Sequence, residues 1–129
     1  MKTPVVLVVD DDALTRKLAA ERLERRGLLV LRAGGGEEAL RVARAQPPDL
    51  VLLDIQMPGM SGFDVLRALR ADPALAAAKI VAMTASVMPD DQGRMDQEDF
   101  DAVLAKPFRR NELLRVVGAL LGVVLDDPP

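Results

Sequence analysis

The sequence predicts an α/β fold, a parallel β-sheet with helices packed on both of its faces. Three observations carry this. Short apolar runs recur along the chain, and the first, Val5-Val6-Leu7-Val8-Val9, is uninterrupted and mostly β-branched, which suits a strand covered on both faces. Between the runs lie segments whose apolar residues recur at helical spacing. The two kinds of segment alternate, and alternation implies parallel strands joined by right-handed crossovers.

The first strand stops at Asp10-Asp11-Asp12. A helix follows with Leu14, Leu18, Ala19 and Leu23 assigned to one face, and Gly27 closes it. Asp12 reads as the residue that prepares this helix. Leu28 to Leu31 is the second strand, and Gly34 to Gly36 break the chain after it. The next helix runs from about Glu37 to Ala45, its acidic start suiting the positive end of the helix dipole. Pro47-Pro48 interrupts before the third strand, Leu50-Val51-Leu52-Leu53, which ends on Asp54. After the loop Met57-Pro58-Gly59-Met60-Ser61-Gly62, Ser61 can cap a helix carrying Phe63, Leu66 and Leu69. Ile80-Val81-Ala82-Met83 is the fourth strand and ends on Thr84. The polar stretch from about Met88 to Gln97 is read as a helix. Ala102 to Ala105 is the fifth strand, running into Lys106-Pro107, and a last helix carries Leu113, Leu114, Val117, Leu120 and Leu121. Five βα units in 129 residues fit a doubly wound, flavodoxin-like sheet of order 2-1-3-4-5. Residues 1–125 read as one domain and 126–129 as a short tail.

Composition narrows the chemistry. The chain contains neither cysteine nor histidine, which removes disulfides, thiolate metal sites and imidazole catalysis. Any metal must then be a hard cation on oxygen ligands. The net charge of −3 gives no electrostatic case for nucleic acid or an anionic membrane. No apolar stretch approaches the ~20 residues of a membrane span. The first apolar run is short and meets acidic residues at once, unlike a signal peptide, so a cytoplasmic location is expected.

Four strands end on polar groups: Asp10-Asp11, Asp54, Thr84 and Lys106. In a doubly wound sheet the carboxyl ends of the strands share one edge, where ligands bind. These groups should therefore meet although they are far apart in sequence. A single Asp at a strand end is ordinarily a cap or turn residue, and a single Lys-Pro is ordinarily surface. The ordered set is what points to a site. Crowded carboxylates repel one another and call for a divalent cation, for which Mg²⁺ fits best because it takes few carboxylates together with waters and phosphate oxygens. A carboxylate can attack phosphorus and form an acyl phosphate. Such transfer needs positioning and charge neutralisation, which Mg²⁺ and Lys106 supply, while the Thr84 hydroxyl can donate to a phosphoryl oxygen.

These residues resemble the receiver domains of two-component response regulators, including the chemotaxis regulators. The resemblance covers nearly the whole chain. It lies in Val8-Val9-Asp10-Asp11, the run from Leu53-Asp54 through Met57-Pro58-Gly59 to Gly62, Met83-Thr84-Ala85, Leu104-Ala105-Lys106-Pro107-Phe108, and the intervals between them. It implies that Asp54 is the phosphoacceptor and that Mg²⁺ is bound by Asp11 directly, by Asp10 largely through water, by Asp54 and by the backbone carbonyl of Gln56. It implies that Thr84 and Lys106 hold the phosphoryl oxygens and that the Lys106-Pro107 bond is cis. The donor would be a phosphohistidine on a histidine kinase or a phosphotransfer protein. The side chains of Gln56 and Ser86 sit where receivers tune the lifetime of the acyl phosphate. One departure matters. Receivers commonly carry Tyr or Phe three residues before the lysine, as a ring that reports phosphorylation, and here that place is Val103. Phe100 and Phe108 are nearby but occupy other positions.

Three other readings compete. Gly34-Gly35-Gly36 loosely matches a dinucleotide-binding turn, but it follows the second strand, and Glu37 and Glu38 would repel a pyrophosphate. A haloacid-dehalogenase-type phosphatase would use Asp10 as nucleophile with Asp12 two residues on, yet it leaves the Met57 to Gly62 loop unexplained. A receiver-shaped interaction module without phosphate turnover would have no use for the full set of Asp10, Asp11, Asp54, Thr84 and Lys106. Leu14, beside the acidic pair, is either a core leucine or a docking residue for the phosphodonor.

Overall fold

The computed structural model describes residues 2–85 and 100–125. Five strands, β1 (Val5–Val9), β2 (Leu29–Ala33), β3 (Leu50–Asp54), β4 (Lys79–Thr84) and β5 (Ala102–Ala105), form one sheet of order β2-β1-β3-β4-β5. Every pairing in it is parallel. The described helices are α1 (Ala13–Glu24), α2 (Gly36–Ala45), α3 (Gly62–Ala71) and α4 (Arg110–Leu121). The fold class and strand order expected from the sequence are the ones observed. The helix expected over Met88 to Gln97, the residue Ser86 and the tail 126–129 lie outside the described residues.

The unbroken apolar strands follow from a core on each side of the sheet. Alternate residues of a strand point to opposite faces. Val6 and Val8 of β1 and Leu50 and Leu52 of β3 pack with Ala19, Ala20 and Leu23 of α1 and Leu113, Leu114 and Val117 of α4. Their neighbours Leu7, Val9, Val51 and Leu53 pack on the other face with Ala39, Leu40 and Ala43 of α2 and Val65, Leu66 and Leu69 of α3.

Local signals position the helices. Asp12 caps α1, its Oδ1 accepting the Leu14 N–H at 3.3 Å and its Oδ2 the Thr15 hydroxyl at 2.6 Å. Ser61 and Asp64 form a reciprocal cap at the start of α3: Ser61 Oγ accepts the Asp64 N–H at 3.3 Å and Asp64 Oδ2 the Ser61 N–H at 3.1 Å. Gly62 cannot be replaced cheaply, because a Cβ there would lie 2.5 Å from the Asp54 carbonyl oxygen. That absent atom lets α3 begin directly against the end of β3.

Two expectations need correction. The second strand runs from Leu29 to Ala33, not from Leu28 to Leu31, and it includes Arg32. It lies at the edge of the sheet, where continuous apolar character is not required, and Leu28 is a core residue just before it. On α1 the buried stripe is Ala19, Ala20 and Leu23, whereas Leu14 is 63% exposed and Leu18 42%. At about 100° per residue, Leu14 and Leu18 fall on the far side of that stripe. Leu14 is therefore not a core leucine.

Candidate functional site

Strand register assembles the site. Val9 pairs with Leu53, Asp54 with Met83 and Thr84 with Ala105. Asp10, Asp54, Thr84 and Lys106 thus stand at or one residue beyond the ends of four strands, on one edge of the sheet. Asp10 is fully buried. Its N–H donates to the Ala33 carbonyl at 3.1 Å, which ties it to β2. Its Oδ1 accepts the Asp12 N–H at 2.9 Å and its Oδ2 accepts Lys106 Nζ at 2.6 Å. Asp54 is 4% exposed; its Oδ1 accepts the Gln56 N–H at 3.2 Å and lies 3.6 Å from Lys106 Nζ. Thr84 is buried, and its carbonyl accepts the Lys106 N–H at 2.7 Å. The Lys106-Pro107 bond is cis. Asp11 is exposed at the mouth of the site.

Electrostatics make the arrangement unusual. Burial, and then the carboxylate of Asp10, push the Asp54 carboxyl up to about 7 against the pull of Lys106. Burial would lower the pKa of Lys106, but the hydrogen bond to Asp10 and the charges of Asp54 and Asp10 raise it above the usual lysine value. Outside the pocket, the hydrogen bond from Thr15 lowers the Asp12 carboxyl. One carboxylate oxygen from each of Asp10, Asp11 and Asp54 lies within 4.8 Å of the others. Three carboxylates with one ammonium against two of them leave negative charge in excess, and the donors are all oxygen. That set fits a hard divalent cation, which would also return Asp54 to its ionised form.

The phosphatase reading does not survive this geometry. Asp10 is buried with both carboxylate oxygens engaged, and the Asp12 carboxylate is spent on capping α1. Gly36, within the triple-glycine turn, opens α2 against Met60, the nearest side chain to any Cβ placed there. Val103 is 47% exposed. Phe100 meets Phe63 edge-on with ring centroids 6.0 Å apart, in a small cluster with Ile55 and Ala82 beside Asp54. Two features escaped the sequence. Arg16 donates from Nη1 to the Asp10 carbonyl at 2.7 Å, and nothing in its spacing on a charged helix signals this. A groove between α1 and the Lys106 loop is lined by Thr15, Leu18, Arg22, Ala85, Lys106 and Phe108, among others.

Comparison with known proteins settles the family. The model for the response regulator receiver domain matches residues 6–118. This chain belongs to that family. The receiver is 35% identical over 120 residues to the polar-differentiation response regulator DivK of Brucella ovis, covering 93% of this chain and 98% of DivK. Its structure is similar to that of the chemotaxis protein CheY4 of Vibrio cholerae, with a TM-score of 0.86 at 28% identity over 92% of this chain and 99% of CheY4. It is also similar to the receiver domain of a Pseudomonas aeruginosa sensor histidine kinase, with a TM-score of 0.86 at 29% identity over 94% of this chain and 99% of that one. That structure holds a magnesium ion in its active-site cleft. The receiver is thus a signalling domain of two-component systems, of the kind that interacts with histidine kinases and downstream targets. Among its described residues no helix is long and apolar enough to cross a membrane.

Proposed function

We propose that this receiver accepts a phosphoryl group from a phosphohistidine onto Asp54, in a Mg²⁺-dependent step, and thereby switches its protein contacts. The observation that carries this is the convergence of the Asp10, Asp11 and Asp54 carboxylates at one edge of the sheet, with Lys106 against Asp10 and Asp54. A carboxylate oxygen of Asp54 attacks phosphorus, the new O–P bond forms as the P–N bond to the donor imidazole breaks, and the imidazole leaves. Lys106, already held against Asp10, turns its ammonium toward the phosphoryl oxygens, and the Thr84 hydroxyl donates to one of them. Asp11, Asp54 and the Gln56 carbonyl would hold Mg²⁺ directly and Asp10 largely through water. The cation supplies charge neutralisation at the phosphoryl oxygens.

The donor is a histidine kinase or histidine phosphotransfer protein, and exposed Leu14 on α1 is the docking residue for it. Gln56 and Ser86 set the lifetime of the acyl phosphate. With Val103 in place of a ring, the signal passes through Thr84 and movement of the neighbouring loop and helix. The receiver acts in the cytoplasm, with 1–125 as the functional unit. Phosphotransfer from a candidate kinase to wild type and to Asp54→Ala tests the assignment. Wild type is labelled and the variant is not; label retained in the variant, or found on Asp10, would sink it.

A further inference from the structure

We propose that Arg16 is a positioning residue for the metal-binding carboxylates, acting through the peptide that joins Asp10 to Asp11. The proposal rests on the reading of that cluster as a Mg²⁺ site. Arg16 is half-buried near the start of α1, with water within reach, yet its Nη1 bends back to the Asp10 carbonyl at 2.7 Å. Hydrogen bonds from a charged donor are stronger than neutral ones. The other polar atoms of Asp10 are already committed: the N–H to Ala33, Oδ1 to the Asp12 N–H and Oδ2 to Lys106. Arg16 completes the set, so the main chain is held on both sides of the Asp10 Cα.

The consequence falls on Asp11. A peptide unit is planar, so holding the Asp10 carbonyl also directs the Asp11 N–H and Cα. Asp11 is the exposed member of the three carboxylates, without the burial that holds Asp10 and Asp54. The fold makes room for the contact at Gly34, where a Cβ would stand 3.2 Å from Arg16 Nη1. Arg16 also carries a charge that repels a cation. That repulsion opposes binding and is screened by salt where the charge reaches solvent. Loss of a group that orients a metal ligand weakens it by about 10-fold or more. The two effects are opposite in sign, and the contact to the Asp10 carbonyl is the one the geometry shows, so removing Arg16 should weaken Mg²⁺ binding.

Calorimetric titration of the whole chain with Mg²⁺ alone, paired with melting curves in EDTA, tests this. Arg16→Met should weaken Mg²⁺ binding by about 10-fold while the metal-free melting temperature stays close to wild type. Arg16→Lys, which keeps a charged donor for the same carbonyl, should recover most of the loss. Unchanged or tighter binding in Arg16→Met overturns the proposal, tighter binding meaning that charge repulsion dominates. So does an equal loss in Arg16→Lys, which also decides the matter if Arg16→Met does not fold. Wild type that binds no Mg²⁺, or binds it equally well as Asp11→Asn, overturns the metal-site reading itself.

Discussion

Both edges of the sheet carry aspartates, and the two edges treat them in opposite ways. Where strands begin, each carboxylate is answered locally. Asp49 Oδ2 accepts the Val5 N–H at 2.7 Å. Asp101 Oδ2 accepts the Ile80 N–H at 2.7 Å and Arg70 Nη2 at 2.9 Å, while Arg70 Nη1 holds the carbonyls of Ala76 and Ala78. These acids join the openings of neighbouring strands and need nothing further. Where strands end, Asp10, Asp11 and Asp54 crowd together with Lys106 against two of them, and burial pushes the Asp54 carboxyl up to about 7. Such repulsion lowers stability and persists where a ligand is meant to relieve it. The same residue type therefore holds the fold together at one edge and makes a site at the other.

The contrast can be broken at either edge. The largest effect is expected from Asp54→Asn, which should reduce labelling by acetyl phosphate or a kinase to background while the protein stays folded. Next, Asp11→Asn should weaken Mg²⁺ binding by about 10-fold or more, read by calorimetry. At the other edge, Asp101→Asn should cost about 1.5–3 kcal/mol in a denaturant titration, because it weakens hydrogen bonds to a charged partner, and labelling per folded molecule should persist. A smaller, pH-dependent effect sharpens the comparison. The folded pKa of Asp54, about 7, lies above its unfolded value of 3.8, so the native state holds this proton more tightly. The stability this contributes is complete below about pH 4 and is lost as pH rises through 7. In EDTA, wild type should thus lose stability relative to Asp54→Asn between these limits, and saturating Mg²⁺ should cancel the loss. Smallest of all, Leu14→Ala should change stability by less than about 0.5 kcal/mol, as a surface substitution does, while slowing transfer from a kinase.

Much of this was legible in the chain. Continuous runs such as Val5 to Val9 and Leu50 to Leu53 are readable because a strand covered on both faces has no polar alternation to blur it. Once their parallel order follows, Asp10, Asp54, Thr84 and Lys106 fall on one edge by counting alone. The edge strand was less legible, since β2 tolerates Arg32 and so offers no clean boundary. On α1, leucines of similar spacing masked a contact stripe made largely of alanine. The contact from Arg16 to the Asp10 carbonyl had no sequence signal, because a backbone acceptor leaves no mark on residue choice.

The valine at position 103 has a practical side. The chain contains neither tryptophan nor tyrosine, so above the absorption of its three phenylalanines it is optically silent. Val103 pairs with Ala82 on the outermost strand, three residues before Lys106, with its side chain half open to solvent. A single indole introduced there, as Val103→Trp, would be the only such fluorophore in the molecule. It would stand where the pocket's lysine strand meets water, giving the site an emission signal free of background.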